Sequence, residues 1–445
     1  TMLLGCGSSG KGGGGGAVSA TVIYAQAEDP KTLDPINTDI AEAVHVLTNV
    51  FDTLVVSDET TTDIVPSLAE RWETSADGLV WTFYLRSGVK FHDGTDCDAS
   101  AVKDSFERLI QKEHPLVFDP VRPYQASFQI IEKVEAKDPQ TVVLTLSSPS
   151  AVLLANLAMF PASVVSPTAL KKYGKDFAEH PVGTGPFQFR KWDRDQRLAL
   201  SRFDGHWRGP AASENLIFVP VKENATRVQR LKRGEIHLAD GLTPVEYDSL
   251  AQEKGIKIQE IPGLNVAYLS MQTQKAPLDD LRVREAIWHA IDKQQLIKVV
   301  YSDRAEPAVS MVPPPMWGYN TELVDRPFDT EAAKKKLAEY AAEKGLTLPM
   351  KLQLSVMSQA RPYMPDPKSM AGFMKDSLRE VGIELEIVFR DVNQHFDALM
   401  KGEHQIGLAG WNSDNSDPDN FLYSLLDSDN INDQGNNLSR YRSEA

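Results

Sequence analysis

The sequence has few of the residues and motifs that usually identify an enzyme or a nucleic-acid-binding protein. It contains only two cysteines in 445 residues, and acidic side chains outnumber basic ones, which leaves a formal net charge of -15. Such a charge argues against nucleic acid as a partner, because phosphate binding needs a basic surface. No apolar run approaches the roughly 20 residues that a membrane-spanning helix requires. The hydrophobic content of 42% is nevertheless that of a folded globular protein.

Motifs of catalysis and of metal binding are also missing. There is no Gly-x-Ser-x-Gly, no His-Glu-x-x-His and no phosphate-binding Gly-rich loop ending in Lys-Ser/Thr, and the nine histidines are scattered. Asp414, Asp417 and Asp419 suggest calcium, but Pro418 and the missing glycine and distal glutamate break the EF-hand pattern. A carboxylate pair for glycoside hydrolysis stays open, because only its separation in space would define it. We expect no metal, no cofactor and no catalysis; a surface peptidase that uses the acidic loop is the less favoured alternative.

The first residues differ in composition from the rest of the chain. Leu3-Leu4-Gly5-Cys6, followed by a glycine-rich run, resembles the cleavage site of a bacterial lipoprotein signal and a flexible tether. This pattern predicts a lipid on Cys6 and a tether over residues 1–19; the alternative is an arbitrary start that contains one cysteine. Cys97 would then have no partner, and the aspartates on both sides of it would raise its pKa. We expect Cys97 to be packed and inert.

Hydrophobic periodicity predicts alternating strands and helices, and the length of the chain predicts two lobes or more. The predicted elements are a strand over 20–25, a helix with Ala43, Val46, Leu47 and Val50 on one face, a hairpin turned at Asp77-Gly78, helices capped by Asp98 and by Asp279, and, toward the C-terminus, a helix over 331–340, a strand over 352–356, a helix over 370–381 and a strand over 383–389. This alternation is typical of an α/β lobe.

Two loops that each follow a predicted strand carry the candidate site. The loop over 410–421 holds three aspartates and three asparagines between a tryptophan and a phenylalanine, and the loop over 359–363 holds Arg361. Ligands of open α/β sheets bind beyond the carboxyl ends of the strands. A fixed carboxylate and a fixed guanidinium together suit a ligand that carries both an amino group and a carboxyl group.

Several stretches carry a family resemblance. They are Leu68-Ala69-Glu70-Arg71-Trp72, the hairpin and loop from Asp77 to Gly94, Pro181-x-Gly183-Thr184-Gly185-Pro186-Phe187, Pro262-Gly263-Leu264-Asn265-Val266-x-Tyr268-Leu269-Ser270, Pro314-x-Met316-Trp317-Gly318-Tyr319-Asn320, Arg361-Pro362-Tyr363, and the acidic loop from Gly410 to Phe421. With these motifs the chain resembles, over nearly its whole length, the peptide-binding family of extracytoplasmic solute receptors for ABC importers. Its second half is most similar to the branch that binds dipeptides.

The resemblance implies an α/β, two-lobed, periplasmic-binding-protein-like fold, with a ligand cleft between lobes joined by a hinge. Lobe I would comprise residues 20–50 and 183–262, an extra α+β subdomain residues 51–182, and lobe II residues 263–445. The family normally continues for several dozen residues beyond the match to 439–442, so the resemblance also implies that the C-terminal part of the fold is missing from this sequence.

The resemblance also implies the roles of the site residues and the partners. Arg361 would hold the carboxylate of a dipeptide, Asp414 would hold its amino group, and Trp411 and Tyr363 would supply apolar walls unless they are ordinary core residues. The chain would be a monomer on the periplasmic or extracytoplasmic face of a membrane, anchored by lipid, and would deliver short peptides to the membrane permease subunits of an ABC transporter. Haem, glutathione, oligopeptides or a nickel chelate remain alternative ligands.

Overall fold

The computed structural model describes residues 20–58, 60–433 and 435–443, which form two compact units. The first unit contains the described residues up to Leu242 together with Ser249–Lys257, and the second contains Thr243–Asp248 and the residues from Ile258 onward. Cys6 and the predicted tether lie outside the described residues. Sheets flanked by helices in both units confirm the predicted α/β class. The finer division of the first unit into lobe I and an extra subdomain stays a prediction.

The first unit contains eleven strands and five helices within the described residues. Its strands are β1 (Thr21–Gln26), β2 (Val55–Ser57), β3 (Ile64–Pro66), β4 (Ala69–Thr74), β5 (Val80–Leu85), β6 (Ile131–Asp138), β7 (Thr141–Leu146), β8 (Phe187–Asp193), β9 (Arg197–Arg202), β10 (Asn215–Pro220) and β11 (Leu238–Ala239). Its helices are α1 (Ala41–Val50), α2 (Ala99–Ile110), α3 (Leu153–Leu157), α4 (Pro167–Tyr173) and α5 (Asn224–Lys232). A further helix, α6 (Pro244–Ala251), spans the point in the sequence where the assignment changes from one unit to the other.

Two larger sheets organise the first unit. One has the strand order β11-β1-β10-β9-β8, with β1 parallel to both of its neighbours, and α1 buries the apolar face that the sequence predicts. The other has the order β4-β5-β7-β6 and contains the predicted hairpin, whose Gly78 has a φ of 72°, in the left-handed region that glycine adopts without strain. Asp98 caps α2 as predicted, because its side chain accepts from the amides of Ser100 and Ala101.

The second unit is built on one four-stranded mixed sheet. Its strands are β12 (Asn265–Met271), β13 (Met350–Met357), β14 (Ile383–Arg390) and β15 (Ile406–Asn412), and its remaining helices are α7 (Leu281–His289), α8 (Lys293–Tyr301), α9 (Thr330–Lys344), α10 (Pro367–Glu380), α11 (Val392–Met400) and α12 (Asp419–Leu426). The strand order is β12-β15-β13-β14, with β13 parallel to both neighbours and β12 antiparallel to β15. The predicted C-terminal alternation of helices and strands is confirmed to within a few residues.

One predicted helix cap is wrong. Asp280, and not Asp279, caps α7: its carboxylate accepts from the amide of Arg282 at 2.9 Å and from the guanidinium of the same residue at 2.7 Å. Asp279 lies one residue too early, and its own amide donates to the carbonyl of Lys275 in the preceding turn. A sequence pattern does not distinguish between two adjacent aspartates. The hydrogen bonds to Arg282 identify Asp280 as the cap.

The prediction that Cys97 is packed inside the fold is confirmed. Cys97 is a buried free thiol, and burial raises its pKa well above the usual range. His92 shares a hydrogen bond of 2.9 Å with the carbonyl of Gly185 and so joins two loops of the first unit. Across the described residues of both units, we find no helix that is long and apolar enough to span a bilayer.

Candidate functional site

The two candidate loops leave the same edge of the sheet in the second unit. β13 and β15 are parallel neighbours, with Leu354 opposite Ile406 and Ser355 opposite Gly407. The carboxyl ends of parallel strands point the same way, so the loop after β13, which contains Arg361, and the loop after β15, which contains Asp414, emerge side by side. The prediction that both loops lie at carboxyl ends of strands is therefore confirmed, although Trp411 and Asn412 belong to the strand itself.

A close contact with a glycine joins the two loops. The ring of Tyr363 lies against the backbone of Gly410, where a Cβ would be only 2.2 Å from Cδ2 of the ring. The hydroxyl of Tyr301, on α8, donates to the carbonyl of Tyr363 at 2.8 Å and holds the loop from the other side. Because Tyr363 is only two residues from Arg361, these contacts fix the start of the guanidinium side chain relative to β15.

Arg361 itself is exposed on a tight turn. Its amide and carbonyl exchange hydrogen bonds with Met364, at 3.0 Å and 2.8 Å, so the backbone is closed on both sides of Pro362 and Tyr363. Among the residues that the structure describes, we find no hydrogen bond or ion pair to its guanidinium. A positive charge on a fixed turn without an internal counter-ion is available to an anionic group of a ligand.

Asn420 organises the acidic loop. Its Oδ1 accepts from the indole Nε1 of Trp411 at 2.8 Å and from the amide of Asp414 at 3.0 Å, and its Nδ2 donates to Oδ2 of Asp414 at 3.3 Å. One side chain therefore orients both the tryptophan and the carboxylate. Asp414 keeps an exposed position at the end of the strand.

The other two aspartates of the acidic loop, Asp417 and Asp419, take part in hydrogen bonds that stabilise its backbone. Oδ1 of Asp417 accepts from the amide of Asp419 at 2.9 Å, at the start of α12, and the amide of Asp417 donates to the side chain of Asn415 at 3.1 Å. Burial, and then the neighbouring charge of Asp417, raise the pKa of Asp419. In the described ranges no three carboxylate, histidine or cysteine side chains are grouped so that they could hold a metal ion.

The two aromatic residues differ in exposure. Tyr363 is 7% exposed and belongs to the main core of the second unit, whereas Trp411 is half-buried against an apolar cluster that contains Val266 and Phe421. Trp411 thus retains a surface that a ligand can contact. Tyr363 acts in the structure as a support for the Arg361 turn, and its role as a ligand wall stays a prediction.

A buried serine–histidine pair between β13 and α11 has a structural role. Oγ of Ser355 is 3.1 Å from Nδ1 of His395, whose Nε2 is 2.8 Å from the carbonyl of Leu408, and Nη1 of Arg390 donates to the same Oγ at 2.6 Å. Both Ser355 and His395 are fully buried, so no substrate reaches the hydroxyl. The pair attaches α11 to the sheet and is not a nucleophile.

Sequence reasoning missed Gly410 and Asn420. A glycine inside an apolar strand is a signal of close backbone approach, so Gly410 was accessible to inference from the sequence. Asn420 was not, because its three hydrogen bonds reach back six and nine residues across an irregular loop.

The mixed α/β fold places the exposed side chains of Arg361 and Asp414 on loops at neighbouring strand ends, an arrangement that suits the binding of a small ligand. A family model described as bacterial extracellular solute-binding proteins, family 5 Middle, matches residues 63–433. The chain therefore belongs to the bacterial extracellular solute-binding proteins of family 5. Members of this family bind solutes outside the cytoplasm and are not enzymes, and the same holds for this chain.

Named relatives are similar over most of the chain. The dipeptide-binding protein of Escherichia coli is 36% identical over 397 residues, which are 86% of this chain and 73% of the relative. Heme-binding protein A of Haemophilus influenzae is 33% identical over 438 residues, 95% of this chain and 79% of the relative. The dipeptide-binding protein from Pseudoalteromonas sp. SM9913, solved in complex with Met-Leu, has a TM-score of 0.79 at 28% identity, and the match covers 95% of this chain and 86% of that one.

Proposed function

We propose that the protein captures dipeptides and other short peptides outside the cytoplasm and delivers them to an ABC-type permease. The observation that carries the proposal is the pair of opposite charges on adjacent strand ends: the exposed guanidinium of Arg361 and the exposed carboxylate of Asp414, tied together through Tyr363 and Gly410. The named relatives that bind dipeptides support the same class of ligand.

In this proposal Arg361 binds the carboxylate of the peptide and Asp414 binds its ammonium group. A guanidinium presents a planar fork that matches a carboxylate bidentately, and such charge-assisted hydrogen bonds are about twice as strong as neutral ones. Asn420 supports the second interaction. Its Nδ2 donates to Oδ2 of Asp414, and its Oδ1 accepts from the backbone amide of the same residue.

Two charged anchors also select the length of the peptide. Burying an ionised terminus costs several kcal/mol unless it meets a partner, so a peptide that reaches only one anchor loses most of its binding energy. The side chains of the peptide need no charged partner in the protein. The half-buried Trp411 offers them an apolar contact that does not depend on the peptide sequence. The expected ligands are short and diverse in sequence.

The proposed partners follow from the same function. The permease subunits of an ABC transporter receive the ligand, and a lipid on Cys6 keeps the receptor at the membrane, which the Leu3-Leu4-Gly5-Cys6 motif supports. We propose that the receptor acts as a monomer. Radiolabelled fatty acid should be incorporated into the protein in cells and lost in a Cys6→Ser variant.

Haem is a second candidate ligand, because a relative named for haem binding is 33% identical over nearly the whole chain. The described residues argue for the peptide, since the exposed Arg361 and Asp414 match a carboxylate and an ammonium group, and haem carries carboxylates but no ammonium group for Asp414 to bind. A shift in the visible spectrum of haem on mixing with the protein would favour this alternative.

Isothermal titration calorimetry tests the proposal with the full chain. Dipeptides such as Ala-Leu should bind at micromolar affinity or tighter, and Arg361→Ala or Asp414→Ala should each weaken binding about a hundredfold. Arg379→Ala is the matched control, since Arg379 is also exposed but pairs with Asp376 on α10. Tight binding of free amino acids or octapeptides, with dipeptides inert, would overturn the proposal.

A further inference from the structure

The long loop between α8 and α9 is irregular but anchored. Residues 302–329 form neither helix nor strand. Near the end of this loop, Oδ1 of Asp325 accepts from Nε1 of Trp288 at 3.0 Å, and Oδ2 accepts from Nζ of Lys293 at 2.7 Å. These bonds tie the loop to α7 and α8. Loops longer than about 12–15 residues without secondary structure are uncommon in compact domains, and many of those that occur have a function.

The middle of the loop packs beside the acidic loop of the candidate site. Met316 is buried in the apolar cluster that also contains Trp411 of β15. Gly318 lies against Pro418, since a Cβ on residue 318 would be 3.6 Å from Cγ of the proline. Pro418 and Asp414 belong to the same acidic loop. The middle of the long loop therefore lies next to the residues that carry the carboxylate anchor.

A tight turn at this point exposes a tryptophan. The amide of Tyr319 donates to the carbonyl of Met316 at 3.2 Å, and Gly318, at the third position of the turn, has a φ of 75°. Trp317 occupies the second position and is 56% exposed. The turn thus buries the side chain of Met316 in the apolar cluster and leaves the neighbouring indole at the surface.

The exposure of this indole sets Trp317 apart from other tryptophans of the second unit. Tryptophan is highly buried on average, and it is enriched at binding surfaces, where its large apolar ring contacts a partner. The indoles of Trp288 and Trp411 each donate a hydrogen bond to a side chain of the protein. We find no acceptor for the indole of Trp317 among the described residues. Its ring is therefore available to a ligand.

The strand order places Trp317 on the side of the proposed amino-group anchor. β15 lies between β12 and β13. The turn packs in the cluster that contains Val266 of β12 and Trp411 of β15, which lie opposite each other, whereas the loop with Arg361 follows β13 on the other side of β15. A peptide with its carboxylate on Arg361 and its ammonium group on Asp414 has its first residue nearest to Trp317.

We propose that Trp317 is a specificity-determining residue, which forms a wall for the side chain of the first residue of a bound peptide. The proposal rests on the proposed function and names a class within it, short peptides that begin with a large apolar or aromatic residue. An aromatic side chain gains from apolar burial and from the geometry that ring pairs adopt. Because the contact involves no charged pair, peptides with a small first residue still bind, but more weakly.

The test compares dipeptides that differ at one position in calorimetry with the full chain. Wild-type protein should bind Phe-Ala about tenfold more tightly than Ala-Ala. Trp317→Ala should lower this ratio about fivefold, and Trp317→Phe should keep most of it. The ratio of Ala-Phe to Ala-Ala should be the same in all three proteins, because the second residue of the peptide lies on the side of Arg361.

Phe328→Ala is the matched control. Phe328 is 50% exposed and lies in the same long loop, but it follows Pro327, whose carbonyl shares a hydrogen bond of 2.8 Å with Nδ1 of His289 at the anchored end. This variant should keep the wild-type ratio of Phe-Ala to Ala-Ala. Urea denaturation and an unchanged affinity for Ala-Ala should show that Trp317→Ala is folded.

The outcomes separate this residue role from the proposed function. If Trp317→Ala keeps the wild-type ratio of Phe-Ala to Ala-Ala, the specificity role is overturned and peptide capture stands. A loss in Trp317→Ala that is equal for Phe-Ala, Ala-Phe and Ala-Ala overturns it as well, because the wall would then not belong to the first residue. If no dipeptide binds the wild type, the proposed function fails, and the role of Trp317 fails with it.

Discussion

The ring of Tyr363 rests directly on the backbone of Gly410, so closely that a Cβ on residue 410 would approach Cδ2 of the ring to 2.2 Å. This contact links the turn that carries Arg361 to the strand that leads to Asp414. A glycine is required in the middle of an otherwise apolar strand because the aromatic ring occupies the space of a side chain. The geometry of the candidate site therefore depends on a residue that has no side chain.

Replacing Gly410 by alanine should lower stability and peptide affinity together. The methyl group displaces Tyr363, which costs about 1–3 kcal/mol of unfolding free energy and shifts the Arg361 turn. Urea denaturation and calorimetry measure the two effects. Gly372→Ala is the control: Gly372 lies inside α10 with open space around it, so alanine should raise stability by about 0.5–1 kcal/mol. Unchanged stability and affinity in Gly410→Ala would show that Tyr363 does not occupy this position.

Replacing Asn420 by leucine should weaken peptide binding about tenfold, the equivalent of one hydrogen bond to a charged group. The side chain holds Asp414 through two hydrogen bonds and Trp411 through a third. Titration of Ala-Leu measures the change. Asn393→Leu, at an exposed position of α11, should leave affinity unchanged. If Asn420→Leu binds as well as the wild type, Asp414 does not need this support.

Replacing Gln26 by leucine should stabilise the free protein. The substitution removes a buried amide without a partner and keeps the approximate volume, so the unfolding free energy should rise by about 1–3 kcal/mol. Loss of stability in Gln26→Leu would mean that the amide is already satisfied in the folded protein.

Stability should fall on mild acidification, in part because of His404. Burial lowers the pKa of this histidine from 6.5 to about 4, and its Nδ1 has no partner among the described residues. Between these two pH values the unfolded chain binds the proton and the folded chain does not, so stability is lost as the pH falls from about 6.5 to about 4, by up to about 1.4 kcal/mol per pH unit.

The contribution of His404 is measured by comparing the wild type with His404→Gln. Urea denaturation at several pH values should show a smaller loss of stability in the variant within this window and parallel curves above pH of about 7.5. His92, whose pKa burial also lowers to about 4, keeps part of the slope in both proteins. Identical slopes in the two proteins would show that His404 takes up its proton without unfolding.

Local patterns in the sequence predicted most of the fold. The helix α1 with its buried Ala43, Val46, Leu47 and Val50, and the alternation from α9 to β14, follow from side-chain periodicity, because one face of each element must be buried. The cap of α7 was assigned one residue too early, since only the bond from Arg282 distinguishes Asp280 from Asp279. The antiparallel pairing of β12 with β15 depends on contacts far apart in the sequence and was not predicted.

The candidate site, like the fold, was only partly predicted from the sequence. Arg361 and Asp414 were predicted from loops that follow strands and from the family resemblance, and the parallel pairing of β13 with β15 explains why these loops are neighbours. The packing of Tyr363 on Gly410 and the orientation of Asn420 are tertiary contacts, which periodicity does not encode. The lone Gln26 is invisible in sequence, because an unsatisfied amide is defined only by the absence of neighbours in the folded unit.

The most direct measurement of the central claim uses dipeptides with one blocked terminus. Wild-type protein should lose about a hundredfold or more in affinity when Ala-Leu is amidated at its carboxyl end or acetylated at its amino end, because each change leaves one anchor unpaired. In Arg361→Ala amidation should cost nothing further while acetylation still does, and in Asp414→Ala the reverse should hold. If amidation weakens binding to Arg361→Ala as much as to the wild type, Arg361 does not hold the carboxylate and the account of this site is wrong.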